Sequence, residues 1–251
     1  MDTELEKSIK KEKFVLYLDI MGFKERVNRL EIENLREQLL RFKTKNNKLK
    51  PLLESKTNTL IHMAQFSDSI VLVSRDTTIE DLNRISKAAT ILMQTALQTG
   101  FALRGALAKG HMVFDNDHQL FFGKALVDAY LLEEELCYYG VVFHESMEET
   151  VFKALSQKPD MPIEDMKIPL KKGKSRHYHI AWHKITASLQ KGDITSQALE
   201  WLKDIRKTVS GNPRVYLDNT VNIIKQKEAV SSLSNKELQS LPSTDGEINI
   251  F

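Results

Sequence analysis

FVLYLDIMGF, residues 14–23, runs from a buried strand into a polar turn. Its first part, FVLYLDI, is β-branched, aromatic and aliphatic, the make-up of a strand covered on both sides. Asp19 stands near the end of that strand, and Ile20, Met21, Gly22 and Phe23 lead out of it. A carboxylate there, ahead of a glycine-containing turn and a helix start, suits phosphate chemistry. The turn offers backbone N–H groups, and the helix dipole favours an anion.

Working outward, Val27, Leu30, Leu35, Leu39 and Leu40 recur at helical spacing and predict a helix over 22–43. The polar, proline-bearing stretch from Thr44 to Asn58 reads as a loop. TLIHMAQF (59–66) and SIVLVS (69–74) read as strands, with Ser67-Asp68 as a tight hairpin turn between them. Thr77–Thr99 predicts a helix with Leu82, Ile85, Ala89, Leu92 and Ala96 on one face, stopped by Gly100. ALRGALAKGHMVF (102–114), the turn DNDH and QLFF (119–122) predict a β-hairpin. GKALVDAYLLEEELC (123–137) predicts a helix and GVVFH (140–144) a strand. The order predicts an α/β (α+β) fold, a ferredoxin-like βαββαβ core with an extra hairpin.

The remainder differs. Residues 160–183 hold a basic loop, KKGKSR, and a strand, HYHIAWH; residues 185–231 read as two amphipathic helices around Gly211-Asn212-Pro213. The expected organisation is a charged lead over 1–12, a main domain over 13–158, a mainly helical extension over 159–231 and a polar tail over 232–251.

With 251 residues and 41% hydrophobic content, the chain can bury one core with an appendage or two small ones. The net charge of +2 calls for no duplex nucleic acid partner. The single cysteine, Cys137, rules out an internal disulfide and fits a reducing compartment. No apolar run approaches the roughly 18 residues of a membrane span. The charged start, MDTELEKSIKKEK, has no apolar signal core, so a cytoplasmic protein is expected.

Asp68, in the turn between two strands, is the second acid of interest. A lone aspartate after a strand is usually a turn residue or helix cap. Two of them on neighbouring strands make a hard-oxygen site for Mg²⁺ or Mn²⁺. His177 and His179 share one strand face, but no zinc-type ligand spacing surrounds them, and a solvated basic strand is the simpler reading.

Four segments together resemble a family. FVLYLDIMGF looks like the first-strand motif of class III adenylyl and guanylyl cyclases, in which a metal-binding Asp precedes an Ile-x-Gly-Phe turn. QFSDSIVLVS resembles that family's second metal motif, with Ser67 where glycine is usual. LRGALAKG resembles its Arg-containing, glycine-punctuated strand, and FFGKALVDAYLLEEE resembles its helix motif in spacing. The resemblance covers residues 14–144. It implies two Mn²⁺ or Mg²⁺ ions per site, held by Asp19 and Asp68 with the Ile20 backbone carbonyl. It also implies triphosphate binding by the backbone N–H groups of Met21, Gly22, Phe23 and Lys24, and a homodimer with active sites at its interface.

The sequence departs from the family at the base and at the α-phosphate. The purine-reading positions fall on Ala64 and Leu120, and the transition-state Asn and Arg on Val127 and Leu131. Losing polar base contacts weighs heavily on discrimination between substrates. Arg104, Lys124 and Asp128 are the candidates to compensate; the chemistry most needs one cation near the α-phosphate, and Arg104 is preferred, a surface ion pair being its bland reading. These departures resemble the Pycsar pyrimidine cyclases of bacterial antiphage defence. Such a resemblance implies UTP or CTP as substrate, cyclic UMP or cyclic CMP as product, and a downstream cyclic-nucleotide-responsive effector. Tyr17, on the strand face of Asp19, borders the base in this reading; a core tyrosine with a satisfied hydroxyl is the alternative. A cyclase-fold module that senses nucleotide without turnover also stays open. A relative of polymerase palms or diguanylate cyclases ranks last, for want of the Gly-Gly-Asp/Glu-Glu-Phe turn.

Overall fold

In the computed structural model, residues 11–55, 58–184 and 193–231 are described, the last six of these as backbone only. The tail over 232–251 and most of the charged lead lie outside them. β1 (Glu12–Ile20) is followed by helices α1 (Phe23–Arg29), α2 (Ile32–Lys45) and α3 (Lys50–Leu53), then by β2 (Ile61–Phe66) and β3 (Ser69–Ser74). Helix α4 (Ile79–Gln98) leads to β4 (Leu103–His111) and to the small hairpin β5 (Val113–Asp115) and β6 (Leu120–Phe122). Helix α5 (Lys124–Glu135), β7 (Val141–Phe143), α6 (Glu148–Gln157), β8 (Ile163–Leu170), β9 (Gly173–Ile180), α7 (Ile194–Arg206) and α8 (Asn212–Ser231) complete the order.

The main sheet has seven strands in the order β2-β3-β1-β4-β7-β9-β8. Its first four strands, 2-3-1-4 and antiparallel throughout, are the ferredoxin-like core. β7 adds parallel to β4 by a helical crossover, and β9 and β8 add antiparallel at the far edge.

β1 explains the layering. Phe14, Leu16, Leu18 and Ile20 point to one face, where they meet Leu82, Ile85, Ala89, Leu92 and Met93 of α4 and Leu35 and Phe42 of α2, all buried. Val15, Tyr17 and Asp19 point to the other face. There Ala125, Ala129 and Glu133, at four-residue spacing, form the buried side of α5. Two alanines bring that helix close to β1 and β4.

The ends of α4 are well specified. Thr78 caps its start, accepting from the Asp81 N–H at 3.1 Å. Gly100, at φ 82°, ends it in a Schellman turn, with Phe101 N–H on the Ala96 carbonyl at 2.8 Å and Gly100 N–H on Leu97 at 3.1 Å.

Several expectations are corrected. The helix expected over 22–43 is two helices, because Leu30 and Glu31 take extended backbone while Leu30 packs on the core. The loop expected over 44–58 holds a 3₁₀ turn at Asn46–Leu49 and the short α3. β4 does not pair with β6: it stays in the main sheet, and only β5 and β6 form the hairpin. KKGKSR is not a loop but a hairpin turn and the start of β9. Its charges are compatible with a strand because they lie exposed near the sheet edge.

Candidate active site

Asp19 and Asp68 are brought together by backbone pairing. The Ile20 N–H donates to the Asp68 carbonyl at 2.8 Å, fastening the β2–β3 turn to the end of β1. Ser67, first of the two turn residues, has φ 54°, the left-handed region that glycine occupies most easily in such hairpins. One row of directly opposed residues then crosses four strands: Phe66, Ser69, Asp19 and Arg104. A second row, one pleat along, holds Ala64, Val71, Tyr17 and Ala106. Close approach is built in at Gly105, where a Cβ would meet the Tyr17 carbonyl oxygen at 2.3 Å.

Burial, and secondly the charge of Asp68, pushes the Asp19 carboxyl up to about 6, with Arg104 opposing both. Arg104 is itself held on three sides. Its Nε donates to the buried Glu133 carboxylate, its Nη1 donates to the Leu136 carbonyl at 2.9 Å, and its guanidinium carbon lies 5.7 Å from the Tyr216 ring centroid. Burial raises Glu133 to about 7, against the pull of Arg104.

Tyr17 is half-buried, shares a 2.9 Å hydrogen bond with the Ser69 hydroxyl, and meets the Tyr130 ring edge-on at 5.5 Å. Its phenol is pushed up, chiefly by burial. Ala64 is half-buried in the same row. Leu120 lies half exposed on β6, in the separate hairpin. Lys124 and Asp128 pair with each other at 2.5 Å along α5, and Lys124 is otherwise exposed. Val127 and Leu131 are both exposed on α5.

The turn after β1 carries one correction. The Met21 N–H donates to the Ala102 carbonyl at 2.9 Å, so it is already spent and leaves the expected phosphate set. Gly22, at φ 72°, precedes α1, whose first intrahelical bond runs from Arg26 N–H to the Gly22 carbonyl. The N–H groups of Phe23 and Lys24 have no acceptor within that helix.

Sequence reading passed over Glu133, Ser69 and Tyr216. Glu133 did leave a signal: it is the acid that continues the Ala125, Ala129 spacing of an inward helix face. Tyr216 left none, because only tertiary folding brings α8 to Arg104.

The acid pair fits a hard divalent cation. Two mutually repelling carboxylates, one of them held above its ordinary range, gain from a cation between them. Among the described residues no three His, Cys, Asp or Glu side chains are grouped to hold a metal. That suits Mg²⁺ or Mn²⁺, which bind through one or two carboxylates, water and substrate phosphates, rather than zinc in a closed cage.

Two open grooves, about 450 and 530 Å³, run along α2 and β2; Asp19 and Asp68 line neither. Phe66, next to the β2–β3 turn, and Val127, Tyr130 and Leu131 on α5 leave apolar surface exposed. Among the described residues no helix is long and apolar enough to cross a membrane.

No family model and no curated protein matches the chain. Solved structures similar to it include the catalytic core of a rhodopsin-guanylyl cyclase with converted specificity in complex with ATPαS. That likeness has 13% identity, 68% of this chain and 94% of the other, and a TM-score of 0.48. A bacterial light-regulated adenylyl cyclase is similar at 12% identity, over 78% of this chain and 98% of its own, with a TM-score of 0.48. A further structure described in the same words has 13% identity, 80% and 57% coverage and a TM-score of 0.49. Likeness at this level says nothing of substrate.

Proposed function

We propose that this protein is a nucleotide cyclase acting on a pyrimidine nucleoside triphosphate, with UTP favoured and cyclic UMP and pyrophosphate as products. The observation that carries the reading is the Ile20–Asp68 backbone bond, which seats two carboxylates at one strand end beside a part-buried guanidinium. Asp19 and Asp68, with the Ile20 carbonyl, would hold the two Mn²⁺ or Mg²⁺ ions. When bound, such ions neutralise the triphosphate and make the substrate's 3′-hydroxyl easier to ionise.

The chain's own groups would do the rest. Gly22, Phe23 and Lys24 offer backbone N–H groups on the triphosphate side. Arg104 supplies fixed positive charge where the α-phosphate gathers negative charge. The 3′-oxygen attacks the α-phosphorus, the bond to the bridging oxygen breaks, and that oxygen leaves with pyrophosphate; the hydroxyl proton passes to solvent. Ala64, Tyr17 and Ser69 border the base. A methyl group where purine readers carry a charge, beside two hydroxyls, favours a small ring with polar edges over a purine.

A homodimer belongs to this reading. One copy leaves the acids part-covered and Phe66, Val127, Tyr130 and Leu131 bare. A cytoplasmic role as a second-messenger synthase in antiphage defence, read by a separate effector, rests on the resemblance of the motifs. The second reading, a silent nucleotide sensor, draws on Val127 and Leu131 at positions where the family has polar groups.

Incubating the purified protein with each of the four nucleoside triphosphates and Mn²⁺ tests the proposal, the product being identified by mass and by phosphodiesterase digestion. Cyclic UMP is the expected product. Cyclic CMP would move the assignment to cytidylate cyclase, and nucleotide binding without any cyclic product would leave the sensor.

A further inference from the structure

We infer that Glu133 is a positioning residue for Arg104, and that the C-terminal helix α8 completes the clamp through Tyr216. This rests on the nucleotide-cyclase reading and extends it to residues that the motifs do not assign.

An arginine side chain is long, and a loose guanidinium samples many rotamers. Arg104 is held on different sides. Glu133 takes Nε, the Leu136 carbonyl takes Nη1, and the Tyr216 ring lies near the guanidinium. Bonds on two different nitrogens fix the plane of the group, since guanidinium donors form a rigid fork. Of its five N–H donors, two are then engaged, leaving the others for a substrate oxygen.

Glu133 is poorly explained by other roles. Its side chain is 3% exposed, so it is no solubilising surface acid. A metal-ligand role is not supported, because no third acid is grouped with Asp19 and Asp68 among the described residues. A buried carboxylate on a face otherwise made of Ala125 and Ala129 is costly to desolvate, and apolar side chains would serve packing alone as well or better. What it does have is a charge-assisted bond to the one cation in register with Asp19. Helix α8 is tied to the same place: the Asn219 amide donates to the Cys137 carbonyl at 2.8 Å, and the Thr220 hydroxyl accepts from the Tyr139 N–H at 2.8 Å. These bonds hold Tyr216 over the guanidinium and make part of the extension a wall of the site.

The test is a double-mutant cycle in the full chain, using Glu133→Gln, Arg104→Ala and their combination, with Glu133→Asp as the conservative variant. Gln keeps the volume and an acceptor oxygen, and Asp keeps the charge should Gln fail to fold. Turnover of UTP with Mn²⁺ and the calorimetric affinity for UTP·Mn²⁺ are both measured. Glu133→Gln is expected to lower kcat by about 10–100-fold with less effect on KM, as for groups that orient a reacting residue. Glu133→Asp restores part of it. In the Arg104→Ala background Glu133→Gln costs nothing further, because the group it orients is gone. Equal losses in both backgrounds, or unchanged kinetics in Glu133→Gln, would overturn the inference. A parent that binds UTP·Mn²⁺ without forming product defeats the cyclase reading alone; the cycle is then read in affinity. If the parent makes cyclic CMP instead, the same cycle is run with CTP; a parent that neither binds nor turns over UTP or CTP defeats both.

Discussion

Phe14, Leu16, Leu18 and Ile20 leave β1 on one side; Val15, Tyr17 and Asp19 leave it on the other. The first set is sealed under α2 and α4, and every member is at most 1% exposed. The second faces small alanines, the Arg104–Glu133 ion pair and the half-exposed ring of Tyr130. The period-2 geometry of one strand therefore separates a face that stabilises the molecule from a face that carries charge at a cost in stability. Substitutions on the two faces should fail in different ways.

The largest contrast is expected at the acids. Asp19→Ala or Asp68→Ala should lower cyclase turnover by about 10³-fold or more, since metal-assisted charge stabilisation is worth several kcal/mol and each 1.36 kcal/mol is tenfold. The melting temperature of the metal-free protein should not fall. Steady-state rates and thermal melts check both halves.

Leu16→Ala should do the reverse. Emptying a fully buried leucine site costs about 2–5 kcal/mol of stability, read as a lower urea midpoint, while turnover per folded molecule stays near that of the parent.

A smaller effect separates the faces by pH. Asp19 holds its proton up to about 6 in the folded chain, against an ordinary value of 3.8. The folded state binds the proton more tightly, so the cost of ionisation is absent below about pH 4, grows between pH 4 and 6, and is fully present above that. Asp19→Asn in metal-free protein should therefore raise stability at pH 7.5 by about 1–2 kcal/mol, allowing for solvent screening, and leave it unchanged at pH 4. Equal gains at both pH values would break the assignment.

Phe66→Ser sits at the low end. The residue is 86% exposed, so the stability of a single chain should shift by no more than about 0.5 kcal/mol. Sedimentation should move from dimer toward monomer, and turnover should fall with it. A Phe66→Ser protein that remains dimeric would remove Phe66 from the proposed interface.

The strand pattern was legible because β1, β3 and β4 are covered on both faces and read as apolar runs that Asp19 and Arg104 interrupt. Asp68 was legible from its place between two such runs. Other features followed tertiary rules instead. The break at Leu30-Glu31 lies inside an unbroken helical periodicity, so only the need to turn the chain around the core reveals it. β9 was obscured because its first half pairs only with the edge strand β8, beyond the reach of the short β7, which leaves Lys174 and Arg176 in solvent. Glu133 and Tyr216 reach Arg104 from distant parts of the chain, and no local spacing encodes that meeting.

The Ile20–Asp68 bond has a consequence for building on this molecule. The spacing between the two acids is set by paired backbones, not by the length of chain that joins β1 to β2. Exposed Glu54 and Thr59 form an isolated antiparallel bridge in that connection, and lengthening a surface loop costs little closure entropy. A foreign sensor domain spliced in there would swing from a hinge that leaves the acids at their fixed separation. That connection is thus a port through which an unrelated ligand could be wired to the proposed site without redesigning its chemistry.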